Sequence, residues 1–225
     1  MGQKVNPISF RLVINKNWRS KWFSERDYAM LLAQDITLRG AINKKLGRNV
    51  GINFVDIERN QQEVVINIHT AKPGLIIGRS GQGVNELKVY LEKEVNKIDY
   101  PIYIKNKLKD SSTNTRKIKV NIIEIRNPES CASLIAQNIA QQLEKRVAYR
   151  RAVKMAIDKA KQQKDVKGVK IKVAGRLGGV EIARREKFLN GSIPLSALRS
   201  NVDYSFTNAF TTFGTIGIKV WVYKK

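Results

Sequence analysis

The sequence predicts an α+β protein built as two consecutive domains, and three observations predict it. Stretches with helical apolar spacing interleave with stretches of strict apolar alternation, first as helix, strand, strand, helix, turn, helix, strand and then as helices followed by four strands. The 225 residues suffice for two domains of ordinary size, each with its own core. Arg126-Asn127-Pro128 breaks the pattern between the two runs, since Asn and then Pro form a helix-start signal after a strand. The expected division is an N-terminal arm over residues 1–24, a first domain over 25–126 and a second over 127–225.

The arm interleaves Arg11, Lys16, Arg19 and Lys21 with Phe10, Trp18, Trp22 and Phe23 without clear periodicity. It is expected to pack on a partner or on the body of the chain. Residues 25–46 then predict a helix through Met30, Leu31, Ile36, Leu38, Ile42 and Leu46, stopped by Gly47. Ile52 to Glu58 predicts a strand, Arg59-Asn60-Gln61-Gln62 a turn, and Val64, Ile66 and Ile68 one face of a second strand that carries His69 as a partly exposed residue.

The run Pro73-Gly74-Leu75-Ile76-Ile77-Gly78-Arg79-Ser80-Gly81 predicts a short apolar helix and a four-residue turn. An amphipathic helix through Leu87, Leu91 and Val95 follows. Glycines let the main chain turn sharply and approach a ligand, and the following helix aims unpaired N–H groups and its positive dipole end at the same place. Arg79 adds a cation, and no acid lies between Pro73 and Asn85. A Walker loop is excluded because no Gly-Lys-Ser/Thr run exists. A dinucleotide fingerprint is excluded because Glu86 stands where its third glycine belongs. A plain helix–helix turn and a nucleotide clamp built on Gly78, Arg79, Ser80 and Gly81 both remain open on this stretch alone. The second use resembles that of RNA-binding KH domains. The element order of the first domain resembles the prokaryotic (type II) KH arrangement. A polar loop is expected at 106–116, followed by a strand with Ile118, Val120 and Ile122 on one face.

The second domain opens with a helix over 129–147 that buries Ala132, Ile135, Ala136, Ile139, Leu143 and Val147. The next helical run, Ala148 to Lys161, hides Ala152, Val153, Ala156 and Ala160. Arg146, Arg150, Arg151 and Lys154 fall within roughly 140° of arc at about 100° per residue. No Glu stands four residues before Arg150 or Lys154 to pair with it, so like charges neighbour each other at a cost of a few tenths of a kcal/mol per pair. A bound polyanion would offset that cost. Four strands follow: Val169 to Val173, Ile182 to Lys187 with Arg184 and Arg185 on opposite faces, one marked by Val202, Tyr204 and Phe206, and Ile216 to Val222. The glycine-rich turn Gly175-Arg176-Leu177-Gly178-Gly179 lies between the first two.

Forty-two Lys and Arg against 19 Asp and Glu give a formal charge of +23, spread along the whole chain. Polyanion binding through counterion release is the leading expectation. No apolar run reaches the ~18 residues of a membrane span, and Met1-Gly2-Gln3-Lys4-Val5-Asn6-Pro7 carries neither a signal peptide's apolar core nor a myristoylation pattern. A single cysteine, Cys131, excludes an internal disulfide, and one histidine with one cysteine cannot build a metal cage. No cofactor, metal, small-molecule substrate or enzymatic activity is expected. A nucleic-acid lyase or nuclease would need grouped carboxylates or a lysine in an apolar pocket, and neither is evident.

Taken in order, these motifs resemble the bacterial family of small-subunit ribosomal protein three. The likeness runs through Met1-Gly2-Gln3-Lys4-Val5-Asn6-Pro7, Ile68-His69-Thr70-Ala71-Lys72-Pro73-Gly74, Ile77-Gly78-Arg79-Ser80-Gly81, Gln142 to Val147, Tyr149-Arg150-Arg151-Ala152-Val153-Lys154, Gly175 to Gly179, Glu181-Ile182-Ala183-Arg184 and Gly217-Ile218-Lys219-Val220-Trp221. The resemblance implies a type II KH domain followed by a two-layer α+β domain with a four-stranded sheet. It implies a cytoplasmic ribosomal protein, or a plastid one, in the head of the small subunit. There it would bind small-subunit rRNA, touch the tenth and fourteenth small-subunit proteins, and line the channel through which mRNA enters. Arg150, Arg151 and Lys154 are implied to grip incoming mRNA and assist its unwinding, with Arg146, Arg176 and Arg184 as further RNA contacts. Met155 departs from relatives with another cation there, the 106–116 loop looks long, and the chain stops at Lys225 without the tail of some members. A free KH-type RNA regulator is the alternative role.

Overall fold

A computed structural model describes residues 4–60, 62–96 and 117–225. The loop expected at 106–116 lies outside them. The chain divides into two compact units, Arg19–Ile125 and Arg126–Lys225, the latter together with the chain up to Trp18. The residues taken as one arm are thus shared between the units.

In the Arg19–Ile125 unit, strand β1 (Ser20–Lys21), helix α1 (Tyr28–Leu46), β2 (Ile52–Arg59), β3 (Glu63–Thr70), α2 (Pro73–Ile77), α3 (Gln82–Asn96) and β4 (Lys117–Glu124) follow one another. The sheet order is β1-β2-β3-β4. β2 and β3 form an antiparallel hairpin, while β3 and β4 run parallel in unbroken register from Glu63↔Lys117 to Thr70↔Glu124. A parallel pair needs a crossover, which the α2–α3 segment supplies. Val55, Ile57, Val64, Ile66, Ile68 and Ile118 pack against Leu38 and Ile42 of α1 and Leu87 and Leu91 of α3. This is the mixed α+β KH arrangement the element order implied.

Two expectations in this unit need correction. Ile36 is exposed, because α1 turns Leu31, Asp35, Leu38 and Ile42 inward instead. Arg59 is the last residue of β2 and is buried rather than part of a turn. Its Nε and Nη2 donate to Asp35 Oδ1 at 2.8 and 2.6 Å, its Nη1 donates to Gln34 Oε1, and Trp22 Nε1 donates to Asp35 Oδ2 at 2.8 Å. Each buried charge is therefore paired and hydrogen-bonded, the condition under which a core tolerates it. His69 is partly exposed as expected, stacked on Phe54 at 4.2 Å.

The other unit contains α4 (Ala132–Glu144), α5 (Tyr149–Gln162), β5 (Val166–Gly175), β6 (Arg184–Gly191), β7 (Val202–Thr211) and β8 (Gly214–Lys224). Its antiparallel sheet has the order β6-β5-β8-β7, and both helices cover one face. Ile135, Ile139, Val153 and Ile157 meet Val169, Ile171, Ile218 and Val220 in the core. Asn127-Pro128 opens only a single 3-10 turn, Pro128–Ser130. α4 begins at Ala132, whose N–H donates to the Asp203 carboxylate of β7 at 3.0 Å, so a strand far along the chain supplies the cap. Ile182 is exposed and precedes β6 rather than starting it.

Arg11 is completely buried in this unit. Its guanidinium donates to the carbonyls of Ser200, Pro7, Ala197, Leu195 and Pro194, at 2.7 to 3.2 Å. The N-terminal segment is bound to its own domain by a cation held among carbonyl dipoles.

Candidate nucleic-acid interface

The Gly78–Gly81 turn is built as its composition requires. Gly78 has φ +67° and ψ −169°, Gly81 has φ +76°, and Ser80 between them is left-handed at φ +54°. A left-handed L-residue costs roughly 1–2 kcal/mol, so Ser80 is held there by its neighbours. A Cβ on Gly83 would overlap the Ile76 carbonyl, so α2 and α3 meet this closely only because residue 83 is glycine. α3 then starts with no acid in its first turn. Arg79 is exposed, as are Leu75 and Ile77 of α2, so a cation and apolar surface lie beside the start of α3. A turn of this kind is suited to a phosphate beside an apolar surface for bases.

In the other unit the cations gather at the N-terminus of α5. Ala148 gives the helix no side-chain cap, and its first turn carries Arg150 and Arg151 and no acid. Cations at a helix N-terminus oppose its dipole, by roughly 0.3–1 kcal/mol each. An anion would reverse that penalty. Arg150, Arg151 and Lys154 are all exposed, and among the described residues Arg151 and Lys154 have no protein partner.

Arg150 is different. It donates to Glu186 Oε1 of β6 at 3.2 Å, Tyr149 Oη donates to the same oxygen at 2.8 Å, and the guanidinium lies over the Tyr149 ring at 5.5 Å. These donors hold the Glu186 carboxyl below its ordinary range, Arg150 first and Tyr149 second. The unpaired helix face the sequence suggested is thus partly neutralised from another strand.

The two units match two known families. Residues 37–130 match the KH domain family, and residues 139–222 match the family described as ribosomal protein S3, C-terminal domain. A small ribosomal subunit protein uS3 of Acidobacterium capsulatum is 45% identical over 224 residues, covering 100% of this chain and 91% of that protein. The uS3 of Magnetococcus marinus is 45% identical, covering 97% of its length, and that of Dehalococcoides mccartyi 45%, covering 73%. The chain belongs to the uS3 family.

The remaining site residues expected from the sequence fall unequally. Arg184 lies at the start of β6 on the same side of the strand as Glu186, and its charge helps lower that carboxyl. Arg146 is not on the helix with Arg150. α4 ends at Glu144, and Arg146 sits beyond it with φ +62°. The Arg146 and Val147 N–H groups donate to the carbonyls of Leu143 and Gln142, closing a Schellman motif in the position glycine usually takes. Arg176 donates through Nε to Val180 O at 3.1 Å and through Nη1 to Phe213 O at 3.4 Å. It ties the glycine-rich turn to the β7–β8 hairpin and is less free for RNA than its sequence suggested. Sequence reasoning missed Glu186 as a member of the site. Only its place two residues after Arg184 in a strand pattern could have hinted at it.

Proposed function

We propose that this protein is a non-enzymatic structural constituent of the small ribosomal subunit, holding small-subunit rRNA and gripping mRNA where it enters. Its relatives are named small ribosomal subunit proteins, and its charge of +23 suits a life among phosphates. The observation that carries the mRNA role is the start of α5, which has no side-chain cap and presents Arg150, Arg151 and Lys154 together as exposed cations. Such a surface holds a single strand by charge without reading its sequence. Unwinding would be passive: translocation supplies the energy and the cations retain each strand as it separates. The Gly78–Gly81 turn is a second RNA contact, and the tenth and fourteenth small-subunit proteins are its protein neighbours.

Replacing Arg150, Arg151 and Lys154 together with alanine tests the reading. The variant should enter small subunits, seen by sucrose-gradient sedimentation at high salt, yet translate messages with structure near the entrance more slowly than unstructured ones. Equal translation of both messages would refute the mRNA role. Wild-type protein that sediments only in free fractions would point to a free KH-type regulator instead.

A further inference from the structure

The sheet of the Arg126–Lys225 unit has a second face, turned away from α4 and α5, that the proposed role does not use. Strand register lines up one row across it: Lys187 of β6 opposite Lys172 of β5, Lys172 opposite Lys219 of β8, and Lys219 opposite Phe206 of β7. Three lysines side by side repel one another. No acid of the four strands relieves them among the described residues, because Glu186 and Asp203, the acids of β6 and β7, point to the helix side, where they meet α5 and α4.

In the next row Lys170 stands opposite Trp221; burial first, and then the charges of Lys4, Lys187 and Lys172, push the Lys170 ammonium below the ordinary lysine range.

Aromatic surface is interleaved with this charge. Lys219 lies 5.6 Å from the Phe206 ring centre and Lys170 5.3 Å from that of Trp221. Phe206 is 52% exposed although it sits in mid-strand. Residue 217 is glycine, and a Cβ there would come within 3.3 Å of Phe206 Cε2, so the ring lies across the β8 backbone. An exposed aromatic in mid-sheet, flanked by unpaired lysines, is the chemistry of a base-stacking platform with phosphate contacts on either side.

We propose that this outer face is a second RNA-binding surface of the domain, taking single-stranded RNA with a base on Phe206 and phosphates on Lys172, Lys187 and Lys219. It rests on the reading of the chain as an RNA-binding protein and adds a site on the layer opposite α5. An acidic peptide would satisfy the lysines but leave the exposed ring without a stacking partner.

The test is fluorescence anisotropy of the full-length protein with a labelled oligouridine of about 12 nucleotides, over a salt series. The variants are K172Q/K187Q/K219Q, F206A and the α5 triple alanine, each checked for folding by circular dichroism. The lysine variant should weaken binding at least about tenfold and lower the salt slope by about 2, at roughly 0.7 per phosphate contact. F206A should weaken binding about fivefold or more with the slope unchanged.

Affinity and slope unchanged in both sheet variants, with loss in the α5 variant, would overturn this proposal and leave the α5 reading standing. Loss in the sheet variants alone would support this site and count against α5. Unchanged RNA binding with lost binding to polyglutamate would assign the face to an acidic protein and also overturn the proposal.

Discussion

Arg11 offers the sharpest test of what holds the N-terminal segment. The side chain is fully buried with no carboxylate bonded to it among the described residues, and burial pushes its guanidinium below the ordinary arginine value while leaving it a cation. Its three shortest bonds run to Ser200 at 2.7 Å, Ala197 at 2.8 Å and Pro7 at 3.0 Å. At about 1.5–3 kcal/mol per charged bond these sum to roughly 4.5–9 kcal/mol. Burying the ion takes back several kcal/mol, leaving a net contribution of about 3 kcal/mol.

Arg11→Met keeps the apolar stem and removes every donor. Hydrogen exchange of the segment up to Trp18 should then accelerate about a hundredfold, since 1.4 kcal/mol is a factor of ten. Arg11→Lys should recover little, because a point charge with a compact ammonium cannot span carbonyls on several sides. Exchange within about threefold of wild type in Arg11→Met would refute the reasoning, for it would mean the carbonyls are hydrated and the cation is a bystander.

Three further outcomes follow from the same geometry. Arg146→Gly should raise the stability of its domain by about 1 kcal/mol in urea titration, because glycine takes the left-handed position without strain, and should weaken RNA binding; unchanged stability would show that Arg146 is not strained. Glu186→Gln removes the carboxylate that occupies Arg150, so binding to oligouridine should tighten and its salt slope steepen, and weaker binding would show that Glu186 positions the site instead. His69 is held below its ordinary pKa mainly by burial, with Asp56 at 3.6 Å opposing the shift. A depressed folded pKa means that the unfolded chain binds the proton first. His69 therefore contributes stability above its unfolded pKa near 6.5 that is lost as pH falls through that value toward the folded one. His69→Gln should flatten the pH dependence of the urea midpoint in this window; an unchanged slope would exclude the effect.

Much of the architecture was legible along the chain because it is set by local pattern. Alternation at Val64, Ile66 and Ile68 and at Val169, Ile171 and Val173 marks strands half buried against helices, and those residues are the cores. Gly78 and Gly81 marked a sharp turn, which the structure builds with positive φ at both. What failed to show were features completed by distant partners. Arg59 looks like a turn residue until Asp35 and Gln34 of α1 surround it. Asn127 looks like a helix cap, but the α4 cap is Asp203.

The same division runs through the functional surfaces. The sequence by itself determined the excess of 42 basic residues over 19 acidic, from which polyanion binding is expected, and singled out Gly78–Gly81 and the Arg150-Arg151-Lys154 run as candidate contacts. Charge total and helical spacing are properties of the linear chain, so they survive without coordinates. Only the tertiary structure decided that Glu186 occupies Arg150, that Arg176 is spent on carbonyls, that Arg11 anchors the N-terminal segment, and that Lys172, Lys187, Lys219 and Phe206 form one row. Strand order and register bring those residues together across dozens of positions, and neither can be read from local pattern because pairing is a contact between segments that the chain's own periodicity leaves free.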